Sequence, residues 1–342
     1  MTAQGPTPLA ERAWHPAMPL PVDAPDGDNG HVMPFVMRGL VADWPLVDHG
    51  RKGAAATLDY LRRFVGGATV ALNHGAPEID GRVFYEDDLS GPNVRIERTP
   101  LAGVLDRLEE ALPHPAPPLL YVASTTVDTA LPGLRAENPL DFADREPLAS
   151  IWIGNRSRIA PHYDLPHNVA CVTAGRRRFL LFPPDQIANL YVGPIDNTPA
   201  GQPVSLVDPE KPDHDRFPRY RHALAAAFVA DLEPGDAIFI PSMWWHYVAA
   251  SDPLNILVNY WWRDVPDYMG TPATALTHAI LTLRALPPDQ KRIWRALFDH
   301  YVFGDPATAR DHLPPEAQGI LGPMTDENAR RIRTYLLNML NR

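Results

Sequence analysis

Between residues 119 and 261 the chain never runs far without a breaker. Segments 119–123, 150–154, 168–173, 178–182, 228–232, 237–240 and 255–261 are short and rich in aromatic and branched side chains. Each is bounded by Pro, Gly or Asp. Runs of this kind are strands, and a series of them predicts an all-β sandwich or barrel. Residues 31–40 (HVMPFVMRGL) form a further strand candidate near the start. The flanks read differently. Residues 58–65 carry leucines and aromatics at helical spacing, and Thr99-Pro100 precedes LAGVLDRLEEAL. That predicts a helix with Thr99 as N-cap and Pro100 at its first position. Residues 271–286, 288–303 and 325–340 are amphipathic helix candidates. The last has Asp326 and Glu327 near its start and Arg342 at its end, as the helix dipole favours.

Composition limits the function classes. A chain of 342 residues allows one large domain or two small ones. Its single cysteine, Cys171, excludes an internal disulfide and a cysteine-based zinc site. A net charge of −10 argues against a general nucleic-acid binder, which needs positive surface. The first thirty residues lack the apolar core of a signal peptide. The longest apolar stretch, 223–230, falls far short of the roughly 20 residues that cross a bilayer. The expectation is a soluble, cytoplasmic protein without membrane or nucleic-acid partners.

The most informative short segment is Pro161-His162-Tyr163-Asp164, with Pro241-Ser242-Met243-Trp244-Trp245-His246 as its counterpart. Residues two apart on a strand point to one face, so His162 and Asp164 can aim an imidazole and a carboxylate at one point. His246, from a different strand, would close the third corner. Two histidines and one carboxylate leave coordination positions open, the arrangement of non-haem Fe(II) oxygenases. Pro234-Gly235-Asp236 reads as a tight turn feeding strand 237–240, which Pro241 ends. His246 would then lie just past a strand end, beside Trp244 and Trp245, which exclude water.

These residues resemble a known family. HYDLPHN at 162–168, GRRRFLLFPPDQ at 175–186, NLY at 189–191, DPEKPDHDRFP at 208–218, PGDAIFIPSMWWH at 234–246 and VNYWW at 258–262 occur in an order similar to that of the JmjC, or cupin-like, Fe(II)- and 2-oxoglutarate-dependent oxygenases. PFVMRGLVADWP at 34–45 looks like the start of that family. Within it the closest likeness is to the asparaginyl hydroxylase that inhibits hypoxia-inducible factor. The resemblance implies a mainly β fold, a double-stranded β-helix (cupin or jelly-roll barrel) with N-terminal α/β elements and C-terminal helices. The resemblance spans about residues 31–265, the catalytic domain; residues 1–30, rich in Pro, Asp and Gly, read as an irregular arm, and 266–342 as a helical region.

The resemblance also implies roles. His162, Asp164 and His246 would hold Fe(II), with 2-oxoglutarate and O2 as cosubstrates and succinate as a product. Arg177 stands where the nearest family member has a lysine for the distal carboxylate of 2-oxoglutarate. A guanidinium grips a carboxylate bidentately, but it is longer and changes the pocket depth. The other reading of Arg176-Arg177-Arg178 is a solvated strand face; alternation puts Arg177 opposite its two neighbours, and the resemblance turns it inward. Asn168 and Asn259 match polar cosubstrate-pocket positions, and Tyr121 looks like the tyrosine bonded to the distal carboxylate. Ile159 replaces a family threonine. Trp261 is placed either beside the metal or in the core.

Three functions compete at this level. The first is hydroxylation of a protein or peptide side chain, suggested by the DPEKPDHDRFP match. The second is the same chemistry on a small molecule, such as a free amino acid or natural product. The third is a non-oxygenase metal-binding cupin. Lysine demethylation is a further family activity, with no basic surface to support it. The C-terminal stripes Leu276, Ile280, Leu283, Leu286; Ile293, Leu297, Tyr301; and Ile332, Tyr335, Leu336, Met339 either pack on their own barrel or form a homodimer interface, as in the resembled hydroxylase.

Overall fold

The computed structural model describes residues 5–14, 32–199 and 201–341, so most of the arm expected over 1–30 lies outside the described residues. The strands are β1 (Thr7–Pro8), β2 (Phe35–Met37), β3 (Thr69–Gly75), β4 (Arg82–Val83), β5 (Arg95–Pro100), β6 (Leu119–Thr126) and β7 (Leu148–Gly154). They continue with β8 (Ser157–His162), β9 (His167–Ala174), β10 (Arg177–Phe182), β11 (Phe228–Leu232), β12 (Ala237–Ile240), β13 (Trp245–Ala250) and β14 (Asn255–Trp262). One sheet runs β1-β11-β10-β13-β8-β4 and the other β2-β12-β9-β14-β7-β6-β3-β5. From β7 onward the chain mostly alternates between the two sheets. That is the jelly-roll double-stranded β-helix of a cupin, here with helical additions.

Both faces of the larger sheet are covered at β7, β9, β12 and β14, which read as nearly unbroken apolar runs, whereas its edge strand β5 is exposed and polar. On β9, Val169 and Cys171 turn outward to a core shared with helices α1 (Pro45–Lys52), α2 (Ala54–Arg62) and α3 (Leu101–Ala111). Ala170 and Val172 turn inward to Phe179, Leu181, Ile238 and Leu257, between the sheets. The same alternation on β10 buries Phe179 and Leu181 between the sheets and sends Leu180 and Phe182 to an outer cluster with Trp245 and Tyr247. Cys171 is fully buried, and burial pushes its thiol pKa up.

Several boundaries differ from expectation. Thr99 does not cap a helix: Thr99 and Pro100 finish β5, paired with Val70 and Thr69, and the helix opens at Leu101 without a side-chain cap. Cross-strand pairing claims the backbone that capping would need. Strands β1, β3, β4, β5, β8 and β13 have no counterpart among the strand segments expected from the sequence. Asp164 lies beyond the end of β8, in a turn, rather than on the strand with His162. His246 is not past a strand end but on β13 itself. The turn at Pro234-Gly235 is as expected: Asp236 N–H bonds to the Glu233 carbonyl, and Gly235 has φ +108°.

The chain divides into two units, 1–263 and 264–342. In the second, helices Pro272–Leu283 and Asp326–Leu340 begin at Thr271 and Thr325, whose hydroxyls accept from Ala273 and Asn328 N–H. The candidate over 288–303 is helix Pro288–Phe298 followed by a π-turn at Asp299–Phe303. Among the described residues no helix is long and apolar enough to cross a membrane.

Candidate metal centre

β13 pairs antiparallel with β8 so that His246 stands directly opposite His162. Their ring centroids are 4.3 Å apart. The turn after β8 brings Asp164 alongside, with its Oδ2 3.6 Å from His246 Nε2. One ligand atom from each of the three residues lies within 4.8 Å of the others. Each imidazole is oriented from behind. His162 Nδ1 lies 2.9 Å from the Ala160 carbonyl and His246 Nδ1 lies 3.0 Å from that of Trp244. A carbonyl only accepts, so Nδ1 carries the proton and Nε2 keeps its lone pair for a metal. Burial, then the neighbouring His162, pushes the His246 pKa down to about 4. The donor set therefore fits a divalent transition metal with open positions.

The three residues line a cavity of about 360 Å³ between the sheets. Arg177 points into it from β10 and is 6% exposed. Gly175, at φ +69°, makes the turn before it; a Cβ there would lie 2.2 Å from Asn255 Oδ1. The arginine run alternates as the inward reading required. Arg176 and Arg178 are exposed, and Arg176 bonds Asp252 through Nε and Nη2. Arg177 has no hydrogen-bond or ion-pair partner among the described residues, and its Nε is buried unpaired. Burial lowers its pKa to about 10, with Tyr121 acting in the opposite sense. An unpaired buried cation costs on the order of several kcal/mol, which an anion in the cavity would offset.

Tyr121, Asn168, Asn259, Ile159 and Trp261 line the same cavity. Burial raises the Tyr121 pKa, keeping its phenol protonated as a donor. Among the wall residues that escaped the sequence reading, two order their neighbours by hydrogen bonds. Trp152 donates from Nε1 to Asn259 Oδ1 at 2.8 Å, and Asn259 Nδ2 donates to Asn168 Oδ1 at 3.2 Å. An indole N–H can only donate, so it fixes the orientation of both amides in turn. Asn168 Nδ2 is left on the cavity wall. Asn73 donates to the Tyr121 carbonyl at 3.1 Å and holds that strand. A tryptophan two residues before a glycine on an apolar strand was the available signal for Trp152; β3 carried none for Asn73.

The family model of the cupin-like domain matches residues 30–268. A lysine-specific demethylase JMJ31 of Arabidopsis thaliana is 37% identical over 136 residues, covering 37% of this chain and 24% of the relative. Human HSPB1-associated protein 1 is 31% identical over 152 residues, covering 43% and 30%. Lysine-specific demethylase 8 of Xenopus tropicalis is 26% identical over 237 residues, covering 67% and 48%. The chain thus spans between a quarter and a half of the length of these relatives. With the family model matched across the whole barrel, and with the likeness running to JmjC proteins, the chain belongs to the cupin-like domain family of JmjC type, whose chemistry is of the Fe(II)/2-oxoglutarate oxygenase kind.

Proposed function

We propose that the protein is an Fe(II)- and 2-oxoglutarate-dependent dioxygenase that hydroxylates a protein or peptide side chain. The observation that carries this reading is the unpartnered, buried Arg177 in one cavity with two histidines and a carboxylate. His162, Asp164 and His246 would hold the metal, leaving positions for the keto acid and O2. With iron bound, O2 would be the oxidant, taking two electrons from 2-oxoglutarate, which leaves as succinate and CO2, and two from the substrate C–H bond that becomes C–OH.

The chain's own residues bind and orient. Arg177 neutralises the distal carboxylate, bidentately where a lysine would give a point charge. Tyr121 donates its hydroxyl to the same carboxylate. Asn168, fixed through Asn259 and Trp152, offers an N–H to the cosubstrate. Trp152 and Trp261, edge to face at 5.9 Å, exclude water from the wall.

The relatives named lysine-specific demethylases raise methylated lysine as a substrate. Among the described residues Asp164 is the only carboxylate on the cavity wall, and it is committed to the metal. That favours an uncharged reacting group, as in the asparaginyl hydroxylase likeness. The test is succinate release by the iron-loaded protein with 2-oxoglutarate, with and without a peptide panel. Peptide-stimulated turnover is expected. Stimulation by free amino acids alone would transfer the reading to a small molecule, and no 2-oxoglutarate binding at all would leave a metal-binding cupin.

A further inference from the structure

The two imidazoles and the carboxylate are held by different means. His162 and His246 are partners in the β8–β13 ladder, so the sheet fixes their spacing. Asp164 has no such support. β8 ends at His162 and β9 begins at His167, which leaves Asp164 in a turn outside both strands. That turn is tied instead to the segment just before His246. Ser242 Oγ donates to the Leu165 carbonyl at 2.6 Å, and Ser242 N–H donates to His167 Nδ1 at 3.1 Å. Met243 N–H donates to the Asp164 carbonyl at 2.9 Å.

The tie comes with strain. Met243 has φ +68°, in the left-handed region. For a residue other than glycine that conformation costs about 1–2 kcal/mol. The Met243 side chain does not account for it, being 39% exposed. Strained backbone persists where its surroundings over-determine it, and it clusters at sites where geometry matters. Here the Met243 N–H is spent on the Asp164 carbonyl and the Ser242 N–H on His167, where β9 begins just past the turn.

We propose that Ser242 is a positioning residue for the metal centre: its hydroxyl and backbone N–H, with the N–H of Met243, lock the Asp164 turn to the segment carrying His246. The ligand set is then assembled before metal arrives, the imidazoles by the ladder and the carboxylate by this tie. The proposal rests on the metal reading of the triad. Loss of the hydroxyl leaves the Leu165 carbonyl without its donor and frees the carboxylate to leave the ligand position. Changes to outer partners of metal ligands typically lower affinity about 10- to 100-fold.

The test titrates Mn(II), a redox-stable probe, into the metal-free wild type, S242A and S242T, and records the melting temperature of each metal-free protein. S242A is expected to bind Mn(II) about 10- to 100-fold more weakly. Its metal-free melting temperature should stay within about 4 °C of wild type. S242T, which keeps the hydroxyl, should recover most of the affinity. Affinity of S242A within about twofold of wild type, or loss of affinity alike in Ala and Thr variants, overturns the role of the hydroxyl. Failure of the wild type to bind Mn(II) is a different result: it removes the metal reading itself and the proposal with it.

Discussion

Arg177 on β10 and Tyr121 on β6 come from opposite sheets, and their polar ends share one cavity without a protein hydrogen bond to either side chain among the described residues. A guanidinium buried without a protein partner destabilises the protein that carries it. Arg177→Met is therefore expected to raise the melting temperature of the ligand-free protein by a few degrees, corresponding to about 1–2 kcal/mol. The same variant should lose the thermal shift that 2-oxoglutarate gives the metal-loaded wild type. Melting curves with and without cosubstrate check both effects. A variant that is less stable and still shifted would mean that the cation has another partner.

The indole of Trp152 sets the direction of two amides before any ligand binds. Trp152→Phe keeps the aromatic wall and removes only the donor. Asn259 is then free to turn over, and Asn168 presents nitrogen or oxygen to the cavity indifferently. A hydrogen bond of about 1 kcal/mol sets the scale, so KM for 2-oxoglutarate should rise about fivefold with kcat nearly unchanged. Steady-state kinetics at varied cosubstrate separates the two parameters. A fall in kcat alone would place Trp152 at the substrate instead.

Asp252 supports the turn that delivers Arg177. It accepts from the Arg176 backbone N–H at 2.7 Å and from Nη2 at 2.8 Å. The Arg176 hydrogen bond, foremost, holds the Asp252 carboxyl below its ordinary 3.8. A lowered carboxyl pKa stabilises the fold above the unfolded value and stops doing so as pH falls through the folded one. Asp252→Asn should therefore melt below wild type at pH 7, with the gap closing as the pH drops beneath 3.8. Thermal melts across pH 2–7 test this; a gap independent of pH would rule out the charge as its cause.

Much of this was legible in the sequence because breakers bound the strands: Ala237–Ile240, buried throughout, and Phe228–Leu232, only partly buried, both have the expected bounds. The triad, too, is visible as residue types at a spacing. What the sequence concealed depends on pairing. β13 opens with Trp245-His246, which looks like the end of a motif until β8 lies beside it. Thr99-Pro100 has the chemistry of a helix start, yet β3 draws both into a ladder. Trp152 and Asn259 are far apart in sequence, and only the register of β7 on β14 joins them. Ser242 and Met243 are unremarkable letters whose importance lies in a backbone turn.

The unit 264–342 poses the last question. Its helices leave Leu276, Ile293, Tyr335 and Leu336 exposed at 54, 61, 62 and 44%. Stripes at helical spacing that remain open to solvent need a cover, and a second copy of the same chain supplies the self-complementary surface that a two-fold interface requires. A homodimer is therefore expected, with a mass in solution twice the 37.9 kDa of one chain. Replacing Tyr335 and Leu336 together with glutamate places charges on the stripe and should yield monomer, since a buried unpaired carboxylate costs more than the contact returns. Both positions are exposed in the single chain, so its fold should survive the change. Size-exclusion chromatography with light scattering reads the outcome directly. A wild type running at the mass of one chain would refute the dimer, and a double variant that remains dimeric would move the interface off this helix.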